Sequence, residues 1–147
     1  NTVVRQIAFF EFERRVHTQR SQGALITQEI CDIWMEVQSE SLGPAIRLGD
    51  GYRHYWSYIP HFIHSPFYVY AYAFGDCLVN SLYAAYQEKP EGFEAKYIDM
   101  LSAGGSLRHK QLLAPFGIDA TNPAFWQQGL DVISSLLDEL VVMDTEK

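Results

Sequence analysis

Residues 55–76 read Y-W-S-Y-I-P-H-F-I-H-S-P-F-Y-V-Y-A-Y-A-F-G-D. They hold five of the nine tyrosines and two of the five histidines of the chain. A helical core needs aromatic rings but not this many hydroxyl groups, and a buried tyrosine must find a partner for its O–H. The stretch therefore predicts either a satisfied polar network inside the protein or a surface that meets a ligand.

The Ser65-Pro66 pair predicts a helix start inside this stretch. Serine is favoured at the N-cap and proline at the first helical position. Apolar side chains then cover nearly every face of the helix as far as Gln87, namely Phe67, Val69, Ala71, Ala73, Phe74, Leu78, Val79 and Leu82. A helix that is apolar all round is typical of the centre of a domain, so we expect residues 66–87 to form a central helix.

Helical patterns continue on both sides of this segment. Apolar periodicity and capping residues predict further helices over about 2–20, 28–42, 91–102, 106–113 and 122–142. No segment alternates between apolar and polar residues with the period of a strand. We therefore predict an all-α fold of about six helices around helix 66–87, forming a single domain over residues 1–147.

Composition excludes several classes of partner. The formal net charge is −7, and no run of Lys and Arg exceeds two residues, which argues against a nucleic-acid or anionic-membrane surface. No apolar run approaches the roughly 18 residues that span a bilayer. Cys31 and Cys77 form no C-x-x-C pair, and no signal peptide is visible, although the sequence does not begin with Met. We expect free thiols, a cytoplasmic location, and no nucleic-acid or membrane partner.

One group of side chains could carry chemistry. On a helix that begins at Pro66, Tyr68 and Tyr72 share a face, whereas Tyr70 points away from it. His61 precedes Tyr68 by seven residues, in a turn that could fold it back over the first helical turns. An imidazole and two phenols converging at the positive end of a helix are suited to binding a developing oxyanion.

A structural role is the competing interpretation of the same residues. Two tyrosines four apart are more often core than catalytic, and a lone histidine such as His61 is more often a structural hydrogen bonder. His64 could be an exposed loop residue, and His54 lies in an aromatic loop where either role is open. On this second hypothesis the chain is a non-catalytic helical interaction module.

Metal and nucleophile motifs are absent from the sequence. It contains no H-E-x-x-H, no H-x-H, no cysteine pair and no G-x-S-x-G. His61 and His64 are three residues apart, but no carboxylate accompanies them before Asp76. We therefore expect no metal to be bound by this chain alone.

The run I-P-H-F-I-H-S-P-F-Y-V-Y-A-Y-A-F-G at 59–75 resembles the oligoendopeptidase F group, which belongs to the thimet-oligopeptidase-like zinc metallopeptidases. Supporting stretches lie in the family's order at 5–17, 97–106, 117–119 and 123–126. The resemblance implies a helical, cleft-shaped endopeptidase that hydrolyses short peptides. It also implies a zinc ion held by the two histidines of H-E-x-x-H and a later glutamate.

Those ligands are not in this sequence, so the resemblance implies the C-terminal portion of a larger catalytic domain. Zinc is then expected in the full-length parent only. The chain alone is expected to be inactive and to self-associate through the surface that the missing part would cover.

The resemblance also assigns residues. His61, Tyr68 and Tyr72 match positions that bind the substrate and stabilise the tetrahedral intermediate. Tyr68 and Tyr72 remain alternatives for the oxyanion donor. Four further residues are candidates for substrate binding, namely His64, Tyr70, Tyr55 and His54.

Overall fold

The computed structural model describes residues 2–145, and every regular element in that range is helical. The α-helices are α1 (Thr2–Arg20), α2 (Thr27–Leu42), α3 (His61–His64), α4 (Tyr70–Glu88), α5 (Phe93–Ala103), α6 (His109–Leu113) and α7 (Pro123–Thr145). Two 3-10 segments cover Asp50–Tyr58 and Ala114–Phe116. The predicted all-α fold is confirmed. The chain divides into two units with the boundary between Gly75 and Asp76, within α4, and the predicted single domain over 1–147 stays a prediction.

The first unit is built around Trp34, which is completely buried. Its ring lies 5.6 Å from Phe9 and 5.2 Å from Phe12 between ring centres, so α1 and α2 pack through aromatic contacts. The Trp34 indole N–H donates to the Tyr52 carbonyl at 3.0 Å, which ties the 3-10 segment to α2. The core is completed by Ala8, Ile33, Val37, Ile59 and Val69.

The predicted start of the long helix at Pro66 is wrong. The chain forms the short α3, then a turn, and α4 begins only at Tyr70. Phe67 has a φ of 61°, in the left-handed region that a right-handed helix cannot continue through. The Ser-Pro signal therefore lies in a turn, and residues 66–69 are outside the helix.

The long helix is also less enclosed than a central helix would be. Its buried side chains follow one face, at Ala73, Cys77 and Ser81, with Leu82 beside them. Val79 on another face is 57% exposed. Among the described residues, α4 buries one face and leaves apolar residues on the others in contact with solvent.

In the second unit, α7 approaches α4 closely at Cys77 and Ser81. The Ser81 hydroxyl donates to the Phe125 carbonyl at 2.8 Å, and both Phe125 and Gly129 are buried. A Cβ atom added at Gly129 would come within 2.7 Å of the Cys77 carbonyl oxygen. This contact needs a residue without a side chain, and Gly129 supplies it. No helix in the described part of the chain is long and apolar enough to span a membrane.

Candidate functional site

His61, Tyr68 and Tyr72 meet in the first unit, as the sequence predicts. His61 Nε2 lies 2.9 Å from Tyr72 Oη, within hydrogen-bonding distance. The Tyr68 ring stacks on the imidazole with 5.9 Å between ring centres, and its centre lies 5.6 Å from the Tyr72 ring. We call these three residues the His-Tyr cluster.

Three different elements position the cluster. His61 is the first residue of α3, Tyr68 lies in the turn after it, and Tyr72 lies in the first turn of α4. The sequence predicts that Tyr68 and Tyr72 meet because they are four residues apart on one helix. The turn brings them together instead, because Tyr68 precedes α4 and its carbonyl accepts the Ala71 N–H at 3.0 Å.

The cluster is open to solvent. Tyr68 is 52% exposed and Tyr72 is 41% exposed, while His61 is half-buried. A satisfied polar network inside a core, one of the two alternatives for this stretch, would have buried these hydroxyl groups. The exposed edge of the cluster is a surface that a ligand can reach.

A buried glutamate supports the turn. Glu13 on α1 is only 2% exposed, and its Oε1 accepts the Phe67 N–H at 2.8 Å. The His17 ring packs against the Phe67 ring, with centres 4.6 Å apart. The residue directly before Tyr68 is therefore held from α1, by one hydrogen bond and one ring contact.

Burial is the main influence on the Glu13 carboxyl and raises its pKa above the ordinary value. The Phe67 N–H and the positive charges of His17 and His61 act in the opposite direction. Sequence reasoning missed Glu13. Its spacing indicates a buried position, because Glu13 lies four residues after Phe9 and three before Val16, on the apolar face of α1.

The four substrate-binding candidates have other neighbours. His54 Nδ1 lies 3.4 Å from Cys31 Sγ, the Tyr55 ring stacks on Tyr52, and the Tyr70 ring lies 6.3 Å from Phe10. His64 is exposed. Within residues 2–145, no hydrogen bond or ring contact joins any of the four to the His-Tyr cluster, so their substrate-binding role stays a prediction.

Tyr55 instead lines a cavity of about 310 Å³ with Tyr52. The Tyr52 hydroxyl donates to Gln38 Oε1 at 3.2 Å, and burial raises the pKa of this phenol. Arg5 also borders the cavity. The cavity is partly polar, and its described walls contain no member of the His-Tyr cluster.

The described residues do not fit a zinc ion. Nowhere in 2–145 do three or more His, Cys, Asp or Glu side chains come together in a group that could hold a metal. The two histidines of the stretch do not pair, because His61 faces Tyr72 while His64 is exposed.

Comparison with known proteins gives a consistent set of relatives. The model of peptidase family M3 matches residues 1–132. Oligopeptidase PepF of Bacillus subtilis (strain 168) is 30% identical over 140 residues, which is 95% of this chain and 21% of that protein. The Oligoendopeptidase F homolog of Borreliella burgdorferi is 30% identical over 141 residues, or 95% of this chain and 24% of that protein.

A third relative, the plasmid-encoded oligoendopeptidase F of Lactococcus lactis subsp. cremoris, is 27% identical over 140 residues, covering 95% of this chain and 23% of its own length. The chain thus spans about a fifth to a quarter of the length of these curated relatives. No solved structure matches it significantly.

Proposed function

This chain belongs to peptidase family M3, and from that membership we propose that its His-Tyr cluster binds the substrate of a peptidase and stabilises the oxyanion formed during hydrolysis. One observation carries the proposal. His61 Nε2 and Tyr72 Oη lie 2.9 Å apart beside the exposed ring of Tyr68. The substrates are short peptides, which fits relatives that are named oligopeptidases and oligoendopeptidases.

The hydrogen bond between His61 and Tyr72 determines which proton reaches the substrate. With its proton on Nε2, His61 donates to Tyr72 Oη, and the phenolic hydrogen is then free to point at a ligand. The tyrosine hydroxyl then donates its hydrogen to the carbonyl oxygen of the peptide bond. Negative charge develops on that oxygen during hydrolysis. Tyr68, whose ring covers the imidazole, presents a second hydroxyl at the same surface.

Donors of this kind act mainly in the transition state. Removing one donor to an oxyanion typically lowers kcat by about 10²–10³. The loss appears in kcat more than in KM, because the bond to the oxyanion is stronger than the bond to the ground-state carbonyl.

The proposal assigns substrate contacts, and no metal chemistry, to residues 2–145, which offer no zinc ligand set. The parent enzyme in this proposal is a cytoplasmic zinc endopeptidase of the oligoendopeptidase F type. Its metal ligands lie in a segment that the printed sequence does not contain. The chain as printed then has no peptidase activity by itself.

The test begins with the reading frame that encodes this chain. We expect an in-frame H-E-x-x-H upstream of residue 1, and we expect the protein expressed from that longer frame to cleave short peptides. In this complete enzyme, Tyr72→Phe and Tyr68→Phe remove the candidate hydroxyls and keep the rings. Tyr58→Phe is the matched control, since Tyr58 is 74% exposed and, among the described residues, its ring contacts Tyr55 and no member of the His-Tyr cluster.

We expect at least one of the two cluster variants to lower kcat by about 10²–10³, with the melting temperature unchanged. The control should keep full activity. If both cluster variants turn over peptides at the parent rate, the assignment is wrong. A loss of activity that results only from a lower melting temperature would favour the helical interaction module.

A further inference from the structure

Glu13 is a buried carboxylate that the proposed function does not use. It is 2% exposed, and only one of its two oxygens has a hydrogen-bond partner among the described residues. Glu11, two residues earlier, has the ordinary surface arrangement and pairs with Arg14 and Arg15. Burying a carboxylate without an ion pair is unfavourable, so its place inside the protein needs a reason.

The reason lies in what Glu13 holds. Its hydrogen bond goes to the backbone of Phe67, a residue that has a Cβ atom and yet adopts a φ of 61°. Such residues rarely adopt this conformation unless the surroundings enforce it. Glu13 supplies an acceptor fixed on α1, 54 residues away in sequence.

The turn at Phe67 determines where the two phenols of the cluster lie. Tyr68 is the next residue, and Tyr72 lies in the first helical turn after it. A different φ at Phe67 would redirect the chain into α4 and move both phenols relative to His61.

We infer that Glu13 is a positioning residue for the His-Tyr cluster. Its carboxylate holds Phe67 in the left-handed conformation and thereby sets the distance between His61 Nε2 and the Tyr72 hydroxyl. This inference rests on the proposed function of the cluster. It assigns Glu13 no contact with the substrate.

The experiment uses the complete peptidase and three substitutions. Glu13→Ala removes the acceptor, whereas Glu13→Gln keeps a side-chain carbonyl that can accept the Phe67 N–H. Glu11→Gln is the matched control on the same helix, because it removes a carboxylate with no contact to the turn. For each variant, kcat, KM and the melting temperature are measured, with kinetics taken well below the melting transition.

We expect Glu13→Ala to lower kcat by about 10–100-fold, because small displacements of catalytic groups have effects of that size. Glu13→Gln should stay within about threefold of the parent, and Glu11→Gln should match the parent. A purely structural role predicts a lower melting temperature for Glu13→Ala with an unchanged kcat for the folded enzyme, and that result would overturn the inference.

A rescue experiment covers the case in which Glu13→Ala folds poorly. Glycine adopts a positive φ without strain, so Phe67→Gly lets the turn form without help from Glu13. We expect kcat of Glu13→Ala/Phe67→Gly to return to within about threefold of Phe67→Gly alone. If the double variant is as impaired as Glu13→Ala, the carboxylate does not act through the Phe67 turn, and the inference fails.

The inference and the proposed function can fail separately. If Tyr68→Phe and Tyr72→Phe leave kcat unchanged, the proposed function fails whatever Glu13 does. If these variants lower kcat while both Glu13 variants leave it unchanged, only the inference fails. When the inference and the proposed function both hold, Glu13→Ala lowers kcat little further in a Tyr68→Phe/Tyr72→Phe background. The reason is that the effects of substitutions at residues that act as a unit are not additive.

Discussion

Glu11 and Glu13 lie two residues apart on α1, yet their surroundings move their pKa values in opposite directions. Hydrogen bonds from Arg14 and Arg15 lower the pKa of Glu11 to about 2. Burial raises the pKa of Glu13, and the Phe67 N–H offsets this only in part. Ionised Glu11 therefore stabilises the folded chain, whereas ionised Glu13 destabilises it relative to the protonated form.

The raised pKa of Glu13 predicts a specific pH dependence of stability. Between 4.5, its ordinary pKa, and the higher folded-state pKa, the folded protein binds a proton that the unfolded chain has lost. As the pH rises, the unfolding free energy of the parent should therefore fall relative to that of Glu13→Gln. The difference between the two proteins should level off above the folded-state pKa of Glu13.

Urea denaturation of both proteins at a series of pH values measures this difference. His17 and His61, whose charges act on the Glu13 carboxyl, are present in both proteins. A difference that stays constant across the series would contradict the pKa shift. If the unfolding free energy of the parent instead rises with pH relative to Glu13→Gln, the ionised carboxylate is stabilised in the folded state.

Residue patterns could predict that three aromatic and imidazole side chains lie together, but not the contact that Glu13 makes with the turn beside them. The density of hydroxyl and imidazole groups at 55–76 singled out His61, Tyr68 and Tyr72, and the structure brings these three together. Glu13 could not be connected to them from sequence alone. Its bond to Phe67 spans 54 residues, and no local rule predicts that contact.

At the scale of elements, helices with local signals were predicted closely. The sequence predicted 2–20 and 28–42, and the structure has Thr2–Arg20 and Thr27–Leu42. Asn122-Pro123 also starts a helix as predicted, with Asn122 Oδ1 accepting the Ala124 N–H at 3.0 Å. These boundaries depend on residues within a turn or two of each other, which is why local patterns find them.

At the start of α4, a tertiary contact overrides the local sequence signals for a helix. Ser65-Pro66 has the composition of a helix start, but the helix begins at Tyr70. The bond from Phe67 to Glu13 on α1 stabilises a turn conformation that the local sequence does not favour. A distant acceptor thus sets where this helix begins, and the sequence around residue 66 carries no sign of it.

The contact between α7 and α4 gives a prediction for Gly129. A methyl group added there would clash with Ser81 Oγ and would lie 2.7 Å from the Cys77 carbonyl oxygen, which is backbone and cannot turn aside. We expect Gly129→Ala to lower the unfolding free energy by about 1–3 kcal/mol, the usual effect of overpacking. Chemical denaturation of the 147-residue chain measures it.

Gly75→Ala is the matched control for that experiment. Gly75 lies within α4, and an added Cβ there would meet no atom within 4 Å. Alanine in a helix interior is favoured over glycine, so this variant should gain about 0.5–1 kcal/mol. Equal effects of the two substitutions would show that the close approach at Gly129 does not constrain the protein.

At the scale of the whole molecule, exposed apolar side chains concentrate on the second half of α7. Six of them are more than half exposed, namely Leu136, Leu137, Leu140, Val141, Val142 and Met143. Exposed apolar side chains grouped on one helix in this way are typical of sites that associate with protein. We therefore expect the 147-residue chain to self-associate through α7.

Sedimentation velocity over a range of concentrations tests this expectation. The parent chain should shift to larger species as its concentration rises, and Leu137→Gln/Leu140→Gln should reduce the shift. Ile46→Gln is the control, since Ile46 is 52% exposed but lies outside α7. A chain that stays monomeric throughout would contradict the expectation, as would equal effects of the α7 and control variants.

The central claim is that the His-Tyr cluster stabilises the oxyanion of a peptidase, and binding of a transition-state analogue tests it most directly. A phosphinic peptide presents tetrahedral oxygens where the oxyanion forms, and its inhibition constant can be measured for the complete parent enzyme, Tyr72→Phe and Tyr68→Phe. We predict that at least one variant weakens analogue binding by about 10²–10³, matching its loss in kcat/KM, while KM for the corresponding peptide barely changes. If both variants bind the analogue as tightly as the parent, the cluster does not contact the oxyanion and the claim is wrong.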